Sequence, residues 1–397
     1  TMSGPLAGIR IIDFTHTLSG LFGAMLLADQ GAEVIKVEPR QFGGKGLGAR
    51  FHTRWSQGSA DLRFIHLNRN KKGLCLNLKS PEGRQVFHDL AGRSDVVMDN
   101  FRPDVMRRLG IDYESLCPMN PRIICCSITA FGTTGPYANR PAADVVMQGH
   151  AGTLSMAGEP GQPINSSVPL TDLSAGMLLS QGVTSALFYR ERTGKGQRVE
   201  VSLLGAALCM LYYEGTHFLN SGVPPVTAGT KYRGVPLVGI FHTADGFITL
   251  MALTDDNWRS LCRVLERPDL LEDPRFDTQP KRVENLETLN EVAEEIFSTR
   301  PSAYWIEHLA EDVPCGPVNT LGQTFADPHM MGMGMVGKTT CEGQEYRIIG
   351  NPIRNSAFPE PTYASPPSMG EHTEEVLTTI LGYSTEQVER LRGAEVI

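Results

Sequence analysis

One aspartate stands at the predicted start of a long, largely apolar helix. Asp172 lies in the segment Pro169–Met177, directly before a helix that we predict over Leu173–Arg192. A carboxylate at this position can cap the helix by accepting hydrogen bonds from backbone N–H groups. The same donors would stabilise an ionised carboxylate, which is the form that acts as a nucleophile. The residues alone leave both roles open for Asp172.

A second group of residues combines a carboxamide, an aromatic ring and cations at the end of a predicted strand. In open α/β sheets, ligands bind beyond the carboxyl ends of strands, where helix N-termini attract anions. The cations could bind phosphates there, and the ring offers a flat apolar surface; a solvated basic helix face is the alternative. The group consists of Asn100, Phe101, Arg102 and Pro103, followed by Arg107 and Arg108.

His16 follows the first predicted strand and so lies at the same edge, although a single histidine is more often structural. The segment Gly44–Ala49 fits G-x-G-x-x-A, but Pro39–Phe42 separate it from the preceding strand. A dinucleotide site needs a tight turn from strand to helix, so we interpret this segment as a mobile glycine loop and expect no nicotinamide cofactor. There is no G-x-S-x-G motif of a serine hydrolase.

The composition is that of an ordinary globular protein of 397 residues with a formal net charge of −8. This charge disfavours a nucleic-acid surface. No apolar run reaches the roughly 18–20 residues of a membrane helix, and the segment Thr1–Pro5 does not resemble an export signal. The eight cysteines form no Cys-x-x-Cys pair and no metal-binding pattern. We therefore expect a cytoplasmic protein with reduced thiols, no metal, no membrane and no nucleic acid.

Strands and helices alternate in the first half, which favours a Rossmann-like α/β fold with a parallel sheet. After the Gly/Pro-rich stretch Ser221–Gly239, the segment Phe241–Leu250 is typical of a hairpin, and we predict a last helix over Thr373–Leu381. We expect a large domain over 1–221, a smaller α+β domain over 222–325 and a return to the large domain over 326–397. The other predicted strands are Ile9–Phe14, Glu33–Glu38, Asp95–Met98, Ile123–Thr129 and Arg198–Ser202; the other predicted helices are Gly20–Gln30, Gly83–Ala91, Pro103–Leu109 and Leu203–Leu219.

Seven segments, in the same order and spanning nearly the whole chain, resemble the family III CoA transferases, also called the CaiB/BaiF family. This family includes formyl-CoA transferase and carnitine CoA transferase. The matching segments are Pro5–Thr15, Gly31–Glu38, Asn100–Pro103 with Leu109 and Gly110, Asn120–Ile124, Phe131–Tyr137, Thr193–Gln197 and Gly370–Thr373.

The resemblance implies an interlocked homodimer that needs no permanently bound cofactor and takes a coenzyme A thioester as substrate. It places the family's nucleophilic aspartate on Asp172. CoA would pass between carboxylic acids through mixed anhydrides and an aspartyl-CoA thioester, so that no ATP is needed. The resemblance, together with the ligand-edge positions above, predicts these CoA-binding residues: His16, Leu18, Ser19, Arg40, Leu76, Lys79, Asn100, Phe101, Arg102, Arg108, Arg140, Ala143 and Asp144.

Two departures from the family bear on the reaction. Relatives that are α-methylacyl-CoA racemases pair the aspartate with a histidine at the position of Ala143, and alanine cannot carry a proton. Formyl-CoA transferase has an aromatic residue there and a tetraglycine loop, where this chain has only the segment Gly229–Pro236. We therefore expect a CoA transferase for small acids, dicarboxylic acids among them, with Lys231 and Arg233 as hypothetical acceptor ligands. A racemase, a nicotinamide oxidoreductase and a non-catalytic CoA-binding protein are the alternatives.

Overall fold

The computed structural model of the chain describes residues 4–39, 56–57, 60–159, 161–225, 227, 229–232 and 234–397. These residues form two compact units. The first comprises residues up to 151 together with 166–216 and 331–397, and the second comprises 152–165 and 217–330. The division predicted from the sequence, at 221/222 and 325/326, stays a prediction.

The first unit is built on a six-stranded sheet in which every pair of neighbours is parallel. Its strands are β1 Arg10–Asp13, β2 Glu33–Glu38, β5 Lys71–Cys75, β6 Val96–Asp99, β7 Ile124–Thr129 and β10 Gln197–Ser202. The order across the sheet is β10-β7-β6-β1-β2-β5. The chain thus builds outwards from β1 on one side and then crosses to β6 on the other. The reversal lies between β1 and β6, and such a point is where open α/β sheets bind ligands.

Alternating side chains of the sheet point into two separate hydrophobic cores, so helices cover both faces of the sheet. Ile12 of β1 packs with helix α3 and the C-terminal helices, whereas its neighbour Ile11 packs with helices α1 and α7. The helices of this unit are α1 Leu18–Asp29, α2 Leu62–Asn68, α3 Pro81–Ala91, α4 Pro103–Leu109, α5 Tyr113–Leu116, α6 Asp144–Ala151, α7 Leu170–Thr193, α8 Leu203–Met210, α17 Thr373–Glu375, a π-turn Val376–Ile380 and α18 Thr385–Gly393. Two hairpin-like pairs also belong here, β3 Ser56–Gln57 with β4 Ala60–Asp61, and β14 Val336–Cys341 with β15 Gln344–Ile349.

The second unit has its own core around Phe241, Trp258 and Trp305, beside a three-stranded antiparallel sheet. That sheet consists of β11 Val238–His242, β12 Phe247–Met251 and β13 Cys315–Pro317. The remaining elements are β8 Gly158–Glu159, β9 Gln162–Pro163, a 3-10 turn Thr153–Met156, α10 Asp255–Val264, α11 Asp269–Glu272, α12 Gln279–Glu284, α13 Leu286–Phe297, α14 Ser302–Leu309 and α15 Leu321–Ala326. Helices α9 Tyr212–Ser221 and α16 Pro328–Gly332 lie where the chain passes from one unit to the other.

The prediction of an α/β protein with a parallel sheet is confirmed. Strand β5 was not predicted, and the segment Leu203–Leu219 forms two helices that break at Leu211 rather than one. The prediction that Thr373–Leu381 is the last helix was wrong, because its second half is a π-turn and α18 follows it. Within the described residues, no helix is both long and apolar enough to cross a membrane.

Candidate functional site

The two central strands end in the same kind of turn. Asp13, the last residue of β1, accepts hydrogen bonds through Oδ1 from the backbone N–H of Thr15 at 2.8 Å and from its hydroxyl at 2.6 Å. Asp99, the last residue of β6, accepts from the N–H of Phe101 at 3.1 Å and from the Ser127 hydroxyl at 2.6 Å. Such bonds from an aspartate to the backbone two residues on define Asx turns. Both loops therefore leave the sheet in a fixed direction at the point where the strand order reverses.

Asn100 ties these two loops to each other. Its side-chain oxygen accepts a hydrogen bond from the N–H of His16 at 3.2 Å, and its amide nitrogen donates to the Thr17 hydroxyl. The ring centroids of His16 and Phe101 lie 5.4 Å apart. The predicted residues His16, Asn100 and Phe101 thus form one contiguous group.

A buried ion pair stabilises the loop that follows β1. Lys71 Nζ lies 3.0 Å from Asp13 Oδ2, and both side chains are fully buried. The Lys36 ammonium, also buried, donates to the backbone carbonyl of Thr15. Burial by itself would raise the pKa of Asp13, but Lys71, Lys36 and the Thr15 hydroxyl together hold it below its ordinary value. These contacts anchor the stretch that leads into α1.

A cavity of about 690 Å³ opens beyond the carboxyl ends of β1, β2, β5 and β6. Apolar side chains cover much of its wall, including Phe14 and Phe101, and cations lie at Lys79 and Arg108. Arg108 pairs with Asp104 at 3.2 Å, yet its side chain stays 69% exposed. Since an exposed pair contributes little energy, the guanidinium can turn towards a ligand at small cost. The lining residues are Phe14, His16, Val37, Glu38, Pro39, Leu76, Asn77, Leu78, Lys79, Phe101, Val105, Arg108 and Leu109.

The start of α1 packs directly on the start of α7, through glycines. A Cβ atom built on Gly23 would lie 2.8 Å from the Gly176 carbonyl oxygen, and one built on Gly176 would lie 2.6 Å from the Ser19 carbonyl oxygen. Only residues without a side chain permit this approach. Ser19, which lies at this contact, acts on the Asp172 carboxylate through its side chain and lowers the pKa of that carboxylate.

Asp172 is half-buried, and its pKa is raised to about 6. Burial is the largest cause, the negative charge of Asp144 adds to it, and the hydrogen bond from Ser19 opposes both. At neutral pH most of this carboxylate is ionised, but it is more basic than an ordinary aspartate. Within the described residues it is therefore a chemically unusual group at the start of a long helix.

The possibility that Asp172 caps α7 was wrong. The helix begins at Leu170, so that Asp172 is its third residue, and the capping acceptor is Asp144. Asp144 Oδ1 accepts from the backbone N–H of Thr171 at 2.8 Å and from that of Asp172 at 3.1 Å. The expectation that backbone donors of the helix keep the Asp172 carboxylate ionised fails for the same reason.

Several predicted residues lie apart from the cavity wall. Leu18, Ser19, Asn100 and Arg102 flank it in sequence, but they are not among its lining residues. Arg140 is exposed and its guanidinium lies 3.8 Å from the centre of the Tyr137 ring, while Ala143 is exposed directly before α6. Arg40 and Arg233 lie outside the described residues.

In the second unit, Lys231 is engaged by its own surroundings. Its ammonium lies 2.7 Å from Glu294 Oε2, donates to the Ile240 carbonyl at 2.5 Å and lies 3.4 Å from the centre of the Phe241 ring. An acceptor carboxylate would have to compete with Glu294 for this cation. A structural role therefore accounts for Lys231, and its role as an acceptor ligand stays a prediction.

The sequence reasoning missed the residues that support the site rather than line it. Asp13 and Asp99 orient the loops, Lys36 and Lys71 neutralise buried charge, and Asp144 caps α7. An aspartate as the last residue of a buried strand was a usable signal for the two Asx turns. Among the described residues, no group of three or more His, Cys, Asp or Glu side chains could hold a metal ion.

Comparison with known proteins agrees with this architecture. A chain from Agrobacterium fabrum, named succinate–glutarate CoA-transferase, is 33% identical over 95% of this chain and 96% of its own length. An acetyl-CoA:oxalate CoA-transferase from Acetobacter aceti is 34% identical over 90% of this chain and 91% of its own. A crystal structure of a CaiB/BaiF family protein from Brucella suis superposes with a TM-score of 0.81 at 30% identity, covering 95% of this chain and 99% of that one.

The profile described as CoA-transferase family III matches residues 6–373, which include both central loops, the cavity and Asp172. The match thus extends over nearly the whole chain and agrees with the relatives and the solved structure. The chain belongs to CoA-transferase family III and is an enzyme that transfers coenzyme A.

Proposed function

We propose that this enzyme moves CoA between small dicarboxylic acids, with the carboxylate of Asp172 as its covalent nucleophile. The observation that carries the proposal is the placement of Asp172, a half-buried carboxylate with a pKa raised to about 6. It contacts Ser19, three residues after His16 of the cavity wall. A basic, partly desolvated carboxylate, connected through Ser19 to the segment that carries His16 of the cavity wall, is suited to attack a thioester carbonyl.

The cavity suits the nucleotide end of CoA. Phe101 offers a ring face for adenine, and Lys79 with Arg108 supplies cations for the phosphates. The pantetheine arm would then run past Thr17 and Ser19 towards Asp172. Leu18, Asn100 and Arg102 would border this path. We keep Arg40, Arg140 and Ala143 as proposed contacts on the resemblance alone.

The reaction follows from this placement in four displacements. The Asp172 carboxylate attacks the donor thioester and the C–S bond breaks. CoA thiolate is released, and a mixed anhydride of Asp172 and the donor acid forms. The thiolate then attacks the aspartyl carbonyl, which releases the donor acid and forms an aspartyl-CoA thioester. The acceptor carboxylate attacks that thioester, and the freed thiolate attacks the acceptor side of the new anhydride. Asp172 is restored, no proton is consumed, and the thioester energy is conserved.

Dicarboxylic acids are the proposed substrates because relatives of about one-third identity bear such names. They include the succinate–glutarate enzyme above, a human succinyl-CoA:glutarate CoA-transferase at 31% identity, and a succinyl-CoA–L-malate CoA-transferase subunit from Chloroflexus aurantiacus at 33%. The free carboxylate of such a substrate needs a cation. Lys231, if it parts from Glu294, and Arg233 are the hypothetical partners.

We also propose that the enzyme is a homodimer, interlocked as its family resemblance implies, with the small domain over 222–325. Support comes from large apolar side chains that α7 to α9 leave exposed, such as Phe188 (66% exposed), Leu208 (52%) and Tyr212 (61%). Large apolar side chains left exposed in this number are typical of a surface that another chain covers. Sedimentation should give twice the chain mass. Phe188→Glu with Tyr212→Glu should weaken the assembly, whereas Met119→Glu, at another exposed apolar position, should not.

Mass spectrometry of the CoA products tests the transferase directly. The protein is incubated in heavy water with succinyl-CoA, acetyl-CoA, formyl-CoA or a 2-methylacyl-CoA and a panel of mono- and dicarboxylates. We expect a new acyl-CoA that forms only with particular acids, is lost in Asp172→Ala, and persists in Asp269→Ala, a solvent-exposed aspartate. Deuterium in a 2-methylacyl-CoA donor without a new product would indicate a racemase. CoA binding without either product in wild type would indicate a binding protein.

A further inference from the structure

Asp144, at the first turn of α6, contacts the first turn of α7. We propose that Asp144 is a positioning residue that holds the start of α7 and orients the Asp172 carboxylate, rather than a ligand of coenzyme A. The proposal rests on the proposed function, in which Asp172 is the nucleophile. It replaces the role in CoA binding that the family resemblance suggested for Asp144.

Both carboxylate oxygens of Asp144 are occupied by the protein. Oδ1 accepts hydrogen bonds from the Thr171 hydroxyl at 2.6 Å and from the backbone N–H groups of Thr171 and Asp172 at 2.8 and 3.1 Å. Oδ2 accepts from the side-chain amide of Gln148, which is 1% exposed, at 2.5 Å. A ligand would have to break these bonds in order to bind Asp144.

The beginning of α7 explains why an aspartate from another helix is needed. The residue before the helix is Pro169, whose side chain cannot cap it. Proline also lacks an N–H group, so Asp172, at the third helical position, cannot make the reciprocal bond of a capping box. Asp144 satisfies the second and third N–H groups from 27 and 28 residues away. The Asp172 carboxylate therefore lies free of backbone donors of its own turn and accepts from Ser19.

The charge of Asp144 also acts on the nucleophile. Burial raises the pKa of Asp172 first, and the carboxylate of Asp144 raises it further. A more basic carboxylate attacks a thioester faster, provided that it remains ionised.

The other elements packed against α7 contribute few competing charges. Arg198 of β10 pairs with Glu114 and Glu200, and burial keeps the β7 thiols protonated by raising their pKa values. The titratable groups on these elements are Asp29 of α1, Asp144 and His150 of α6, Cys125 and Cys126 of β7, Arg198 and Glu200 of β10, and Cys209 of α8.

Asp144→Asn and Asp144→Ala separate the cap from the charge. Asparagine keeps an oxygen that can accept the three bonds but removes the charge, whereas alanine removes both. CoA affinity is measured by calorimetry with free CoA, and kcat is measured across pH 5–9 with succinyl-CoA and the acceptor that supports the fastest transfer. We expect both variants to bind CoA within about twofold of wild type. In Asp144→Asn, the acid limb of kcat should shift to lower pH by on the order of one unit.

In Asp144→Ala, kcat should fall by roughly tenfold or more, since a misplaced nucleophile loses its orientation. Asparagine should restore much of that loss at neutral pH, which a general loss of folding would not explain. A CoA dissociation constant raised tenfold in Asp144→Asn, or an acid limb that does not move in that variant, would overturn the proposal. Failure of the proposed function is distinguishable from this, because transfer would then survive in Asp172→Ala.

Discussion

Replacing the nucleophile should stabilise the folded protein while abolishing transfer. The pKa of Asp172 is about 6 in the folded chain and 3.8 in the reference state, a difference of about 2.2 units. At about 1.36 kcal/mol per unit, ionised Asp172 costs the fold about 3 kcal/mol, less what water screens at its exposed edge. Asp172→Asn removes this cost and can still accept the hydrogen bond from Ser19. The gain should therefore be of the order of 2–3 kcal/mol at pH 7.5.

The pH dependence gives the sharper check. Below about pH 3 the carboxyl is mostly protonated in both states, so the variant and wild type should be equally stable. Between pH 4 and 6 the unfolded state loses its proton first, and the advantage of the variant should grow; above pH 7 it should be constant. Urea unfolding at a fixed protein concentration measures this, with Asp256→Asn, at a side chain 90% exposed, as the control. A variant no more stable than wild type at pH 7.5, or a gain independent of pH, would refute the reasoning.

Three further outcomes can be checked on the same preparations. Ser19→Ala removes the bond that lowers the pKa of Asp172, so the acid limb of kcat should move to higher pH, opposite to Asp144→Asn; a pH–rate profile measures it. Phe101→Ala should weaken CoA binding by roughly 10-fold, or 1–2 kcal/mol, in calorimetry, because it removes a ring face of the cavity, and kcat with saturating donor should change less. Lys71→Met leaves the carboxylate of Asp13 buried without its ion-pair partner and should lower the free energy of unfolding in urea by roughly 3–5 kcal/mol. The neighbouring Lys72 is partly exposed, so Lys72→Met should lower it by less than about 1 kcal/mol.

Local patterns predicted the elements whose limits are set by local chemistry. Strand β2 and helix α4 have the predicted bounds, because an apolar run defines the first, and Pro103 and Gly110 delimit the second. Glycine at Gly31 and Gly110 adopts positive φ after the helix ends, as the sequence reasoning for Gly31 requires. The grouping of His16 with Asn100 and Phe101 was predictable too, since these residues follow predicted strands of one parallel sheet.

Contacts between distant residues could not be predicted in the same way. Strand β5 opens with two lysines, which is unusual in a buried strand, and Lys71 is tolerated there because Asp13 lies 58 residues away in sequence and 3.0 Å away in space. The start of α7 was placed three residues too late for a similar reason. The helix extends back to Leu170 because Asp144 caps it from α6. No period or propensity of residues 165–175 carries that information.

At the glycine contact between α1 and α7, main-chain atoms set the distance from Ser19 to Asp172, because no side chain lies between the helices. Gly23 and Gly176 leave no rotamer between the helices that could relax, so the spacing cannot adapt gradually to a larger residue. Directed evolution towards new acids should therefore succeed at the cavity wall and around Ala143, and should return these two glycines unchanged. The fold thus keeps the reacting carboxylate in a rigid position while the cavity wall can accept substitutions. Related enzymes could therefore change their acid substrates and keep the same catalytic reaction.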